Sequence, residues 1–86
     1  MEKYSIEFKP SVWKDLDEID KIDRRRILKR IEKLAENPRP SGSKRLAGSE
    51  RYRIRQGNYR ILYFIEDDRL VVVVVKVGHR RDVYDG

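Results

Sequence analysis

The 86 residues contain no cysteine, one histidine, one tryptophan and three prolines. Without cysteine there is no disulfide framework and no thiolate metal site, so a reducing, cytoplasmic setting is the expectation. No apolar run approaches the ~20 residues needed to span a membrane. The first residues, Met1-Glu-Lys-Tyr-Ser-Ile-Glu7, carry no apolar signal region. No Walker loop, nucleotide-binding glycine fingerprint, zinc-ligand spacing or Ser/His/Asp arrangement occurs. No metal, no cofactor and no small-molecule substrate are therefore expected. Asp15, Asp17, Glu18 and Asp20 cluster, but at helical spacing among basic neighbours, which reads as a solvated helix face.

The net charge of +6 is unevenly placed. Residues 1–37 hold ten Lys/Arg against nine Asp/Glu. Between Pro38 and Ile65 seven cations (Arg39, Lys44, Arg45, Arg51, Arg53, Arg55, Arg60) face Glu50 alone, so this segment's excess equals that of the whole chain. Such locality points to a polyanionic partner rather than to generic solubilising charge.

Tyr4, Ile6 and Phe8 alternate with Ser5, Glu7 and Lys9, the period of a half-buried strand. Pro10 suits the first turn of a helix, and Val12, Trp13, Leu16 and Ile19 recur at helical spacing through about Asp20. A second helix is expected from about Asp23 to Glu36, with Asp20 and Asp23 both plausible caps and Asn37-Pro38 as its end. Residues 39–50 read as a Gly/Ser-rich loop that Leu46 anchors to the core. Three strands follow, at about 51–55, 59–66 and 69–77, with hairpin signals at Gly57-Asn58 and Asp67-Asp68. The chain is thus one α+β domain, 1–86: a helical hairpin on one face of a small antiparallel sheet, in the order β-α-α-β-β-β.

An even loop at Gly57-Asn58 would set Arg53 or Arg55 opposite Arg60, with Arg51 on the same face. Tyr52, Ile54, Tyr59, Ile61 and Tyr63 would then turn toward the helices. An odd loop would bury Arg60 against the helices, at a large desolvation cost. The even register predicts one sheet face packed on helices and one lined with arginine. Val71–Val75 is apolar on both faces, as an interior strand requires, and its second face calls for a polypeptide cover.

Tyr52-Arg-Ile-Arg55, a short turn, Tyr59-Arg-Ile-Leu-Tyr63, a valine-rich strand and Val77-Gly-His-Arg-Arg-Asp-Val-Tyr84 closely resemble the RelE family of the RelE/ParE toxin superfamily. Asn37-Pro38 followed by Lys44-Arg45-Leu46-Ala-Gly48 is similar to that family's helix-to-strand connection. The resemblance implies a curved sheet of the microbial-RNase/RelE type. It also implies a metal-independent endoribonuclease that cuts messenger RNA in the ribosomal A site. There the RNA's 2′-hydroxyl attacks the adjacent phosphate and leaves a 2′,3′-cyclic phosphate. The implied partners are the ribosome, mRNA and a RelB-like antitoxin.

Carried onto this sequence, Arg60 and Arg81 would stabilise charge, because a guanidinium grips phosphate oxygens in a bidentate fork. Arg53 and Arg55 stand where a well-known member type has lysines. Arginine does not give up its proton, so they suit phosphate clamping better than base catalysis. Tyr84 would stack on a base or move a proton, and Arg80 and His79 are further candidates. Lys44, Arg45 and Arg51 would bind RNA or rRNA. Two other readings share the resemblance: a ParE-like gyrase inhibitor, and a toxin-like binding module without activity.

Overall fold

The computed structural model describes residues 3–81. The alternating segment forms β1 (Ser5–Phe8), and Pro10 opens α1 (Pro10–Asp17), where its fixed φ fits and its missing N–H is not needed. Val12 and Leu16 are buried, while Trp13 stays half-exposed with its ring 4.7 Å from that of Phe8. Helix α1 ends before the expected Asp20, and the turn through Glu18 still buries Ile19. Of the two candidate caps, Asp20 takes the role: its Oδ2 accepts from the Ile22 amide at 3.2 Å. Helix α2 therefore starts earlier than expected and runs Lys21–Lys33, burying Ile27 and Ile31. Turns then carry Leu34 and Ala35 into the same core.

Strands β2 (Lys44–Arg45), β3 (Tyr52–Gln56), β4 (Tyr59–Glu66) and β5 (Val71–His79) complete a five-stranded sheet in the order β1-β5-β4-β3-β2. The antiparallel expectation holds from β2 to β5, but β1 lies parallel to β5. The doubly apolar β5 needs neighbours on both edges. β1 supplies the outer one, setting Ile6 beside Val72 and Phe8 beside Val74. β2 lies within the segment read as loop. The Leu46 amide donates to Arg51 O at 2.9 Å, which folds the loop back and draws Lys44 and Arg45 alongside β3.

Both helices lie on one side of the sheet, α1 against β5 and α2 toward β3. Between them and the sheet sit Ile54, Ile61, Tyr63, Val72, Val74 and Val77 with the buried helix residues. Leu46 anchors its loop elsewhere: it packs with Leu62 and Val75 in a small second cluster on the opposite sheet face. The loop itself thus covers part of the face for which a polypeptide cover was expected.

Two local devices set which way each side chain points. Gly57, at φ 60°, takes the first central position of a two-residue turn closed by Gln56 and Tyr59. The loop is even, as expected, and of the two candidates it is Arg55 that pairs with Arg60, while Arg53 pairs with Leu62. The second device was not expected: a bulge in β5. Tyr63 pairs with Val74 and Leu62 with Lys76, leaving Val75 as the extra residue. Up to Val74 the even positions of β5 face the helices; beyond Val75 the odd ones do.

Candidate nucleic-acid interface

The face away from the helices is a cationic grid written by register. Across one row lie Lys44, Arg53 and Leu62, ending at Lys76, whose ammonium is taken up by Asp15 of α1, and across the next lie Arg55, Arg60 and Gly78. Directly opposed side chains on a sheet stand about 5 Å apart at Cβ, and like charges so placed repel. The register thus concentrates positive charge at the Arg55–Arg60 and Lys44–Arg53 positions. Arg53 is 8% exposed, Arg60 half-buried and Arg55 exposed, so the grid runs from a desolvated floor to an open rim. Buried arginine is rare, and a partly dry guanidinium binds phosphate more strongly than a fully hydrated one. Gly78, opposite Arg60, contributes no side chain to the face.

The other expected cations divide. Arg51 lies with its guanidinium 5.8 Å from the Phe64 ring centre, on the grid side. Arg45 pairs with Tyr52 on the opposite side and donates through Nε to Ser49 O at 3.2 Å, so it shapes the loop rather than the face. Arg39 also leaves the electrostatic footprint. Its two terminal nitrogens grip Asp67 at 3.2 and 2.9 Å, and its Nε donates to the Tyr52 hydroxyl at 3.1 Å. Tyr4 donates to the same carboxylate at 2.6 Å. The Arg39 hydrogen bonds, then that of Tyr4, hold the Asp67 carboxyl down at about 2.

The bulge redirects the tail. Gly78 pairs with Arg60, so His79 pairs with Tyr59 on the helix side, edge-on at 5.7 Å between ring centres. His79, a candidate from the sequence, is thus turned away from the cationic face by one extra valine. Its Nδ1 accepts from the Arg81 amide at 3.4 Å. Arg81 lines a cleft of about 300 Å³ that joins Asp15, Glu18 and Ile19 of the helical side to Tyr59, Lys76, Gly78 and His79 of the sheet. The Arg80 amide donates to Asn58 O at 2.8 Å, tying the tail to the β3–β4 turn next to the grid. Tyr84 lies outside the described residues. No group of three His, Cys, Asp or Glu able to hold a metal occurs among those described. No helix among them is long and apolar enough to cross a membrane.

Sequence reading missed two structural carboxylates. Asp15 of α1 reaches the stretch of β5 beyond β1, accepting from the Val77 amide at 3.2 Å and pairing with Lys76 Nζ at 3.1 Å. It supplies an acceptor to an edge that would otherwise be open. Asp67, read as a turn former, is the hub that fastens β1 and residue 39 to the β4–β5 loop. Nothing in local spacing marks either role.

A family model for the ParE toxin of type II toxin–antitoxin systems matches residues 6–84. The putative toxin RelE1 of Methanocaldococcus jannaschii is 31% identical over 86 residues, 95% of this chain and 96% of the relative. The chain belongs to the RelE family of the RelE/ParE toxin superfamily. The RelE likeness extends to the mRNA interferase toxin RelE of Escherichia coli K12, 28% identical over 79 residues, 90% of this chain and 83% of that one. Among solved structures, the toxin–antitoxin complex RelBE2 of Mycobacterium tuberculosis contains a chain that superposes with a TM-score of 0.84. The match has 26% identity and covers 93% of this chain and 94% of that one. The α+β fold expected from the sequence is that of these RelE structures.

Proposed function

We propose that this RelE-family toxin is a ribosome-dependent endoribonuclease that cuts messenger RNA in the A site, and that an antitoxin covers its cationic face. The observation that carries the reading is the opposed pair Arg55–Arg60 beside Gly78, with half-buried Arg60 and buried Arg53 behind it. In the proposed step the 2′-oxygen bonds to phosphorus, the P–O5′ bond breaks, the 2′ proton is lost and the departing O5′ gains one. Arg53, Arg55 and Arg60 offset the charge that builds on the phosphoryl oxygens, each such donor being worth roughly 2–4 kcal/mol. No arginine of this grid gives up a proton, so proton transfer falls to Tyr84 or to groups of the ribosome and solvent. Arg80 or Arg81, which follow β5, would supply the tail's phosphate ligand. The relative named as an mRNA interferase supports the substrate, and the toxin–antitoxin complex supports the partner.

The test is cleavage of a defined message on programmed ribosomes, with 5′ ends mapped. Wild type cuts within translated codons, and Arg60→Ala cuts about 30- to 900-fold more slowly, from the same 2–4 kcal/mol. Equal cutting of naked RNA, or no cutting with ribosomes, would sink the proposal. Because the matching family model is that of ParE toxins, a gyrase supercoiling assay runs alongside. Inhibition there, without cleavage, would move the chain to the ParE activity.

A further inference from the structure

Helix α2 carries a second cationic surface on the other side of the molecule from the arginine grid. Lys21–Lys33 holds seven Lys/Arg against two Asp/Glu, an excess of five that the balanced total of residues 1–37 conceals. Its buried face is Ile27 and Ile31. Lys21, Ile22, Arg25, Arg26, Lys29, Glu32 and Lys33 are exposed.

Successive exposed cations fall at i,i+4: Lys21–Arg25, Arg25–Lys29 and Lys29–Lys33. Like charges so spaced destabilise a helix, and within α2 no i,i+4 neighbours have opposite sign. Among the described residues the ion pair that α2 makes is Arg24–Asp17 at 3.9 Å, on the flank. At i,i+3 Asp23–Arg26 and Lys29–Glu32 do oppose signs, yet two carboxylates against seven cations leave the face strongly positive.

We propose that the outer face of α2, centred on Arg25, Arg26 and Lys29, binds the phosphate backbone of structured RNA. A row of cations one helical turn apart, about 6 Å, extends along a helix of about 20 Å. Such a row matches a linear array of phosphates, which binds by counterion release and needs no pocket. A protein partner would need an apolar centre, and the strip offers only Ile22, 62% exposed at its start. With the grid and α2 on opposite sides of the sheet, one molecule can hold a single strand in front and a folded RNA behind. That arrangement gives a physical reason for cleavage only where both are present. The choice of RNA over DNA rests on the proposed nuclease reading; the surface itself does not.

The probe is a labelled RNA duplex of roughly 20 base pairs, somewhat longer than the ~16 spanned by a double-stranded-RNA module. Binding is followed by fluorescence anisotropy across a series of salt concentrations. The variant R25Q/R26Q/K29Q should bind at least tenfold more weakly, with a log–log salt slope shallower by about 2–3, near 0.9 per lost contact. Its melting temperature should not fall, since like-charge contacts are relieved, and the single variant K29Q should show about a third of the slope change. R55Q/R60Q should keep duplex binding while losing any cleavage of message, which separates failure of this surface from failure of the nuclease reading. Unchanged affinity and slope in the triple variant would overturn the proposal. So would equal affinity for a DNA duplex of the same sequence, or displacement of the RNA by polyglutamate at equal charge concentration.

Discussion

Removing one oxygen, in Tyr63→Phe, tests how the far end of the sheet is held. Tyr63 is 0% exposed, and its hydroxyl donates to the carbonyl of buried Pro38 at 2.8 Å. Its ring stacks on Tyr52 at 5.8 Å, and Tyr52 in turn holds Arg39. Phenylalanine keeps the ring and the packing but leaves a buried carbonyl without its donor, at a cost of about 1–3 kcal/mol. With a urea dependence near 1–2 kcal/mol per molar for a domain this small, the midpoint should fall by about 0.5–3 M.

The same residue predicts a pH signature. Burial pushes the Tyr63 hydroxyl up to about 12 from its ordinary 10.0. A folded value above the unfolded one contributes stability that is complete below pH 10 and lost as pH rises to about 12. The gap corresponds to roughly 3 kcal/mol at 1.36 kcal/mol per decade. Urea titrations by far-ultraviolet circular dichroism from pH 7 to 11 would show the variant starting lower and losing stability less steeply. A midpoint shift under about 0.3 M at pH 7, with parallel pH curves, would refute the account, since even a ~1 kcal/mol bond exceeds it.

Asp15→Ala should cost about 1.5–3 kcal/mol, because it removes a charged acceptor from the Val77 amide and the partner of Lys76; a chemical-denaturation curve reads it directly. Asp67 has a folded value of about 2, below its ordinary 3.8, so its contribution is present above about pH 4 and is lost as pH falls through 2. Asp67→Asn should flatten the acid limb of a stability-versus-pH profile over that window. Gly78→Val should leave the domain as stable as before, since valine suits a strand, yet slow message cleavage at least ~10-fold by filling the space beside Arg60. Unimpaired cleavage would remove the reason for a glycine there.

The two faces of β3 and β4 were legible because residue types alternate and Gly57-Asn58 marks an even turn. Arg55 opposite Arg60 follows from those facts alone. The tail was not legible in the same way. The five valines carry no sign of where the ladder skips a residue, so counting along them sends His79 to the wrong side. Asp20 and Asp23 were equal candidates by type, and only the entry angle after α1 selects Asp20. Summing charge over residues 1–37 let the acidic residues of α1 and the turn mask α2. Asp15, Asp67 and Arg39 gained their roles from contacts spanning 13 to 63 positions, beyond any local pattern.

The bulge at Val75 also sets a property of the chain as a length of string. The ladder on either side of it, Val74 with Tyr63 and Lys76 with Leu62, would close without it. Deleting any one of the five valines produces the same sequence, so one deletion tests the spare residue wherever the skip sits. Such a protein should keep Gly78 opposite Arg60 and every cation of the grid. It would lose the Val75 contact with Leu46 and Leu62 and the extra twist a bulge imparts. The inventory of the face and its curvature are thereby separable: the first is written in residue types, the second in a count of identical ones. Identical side chains also let the skip migrate along β5 without exchanging one buried residue type for another.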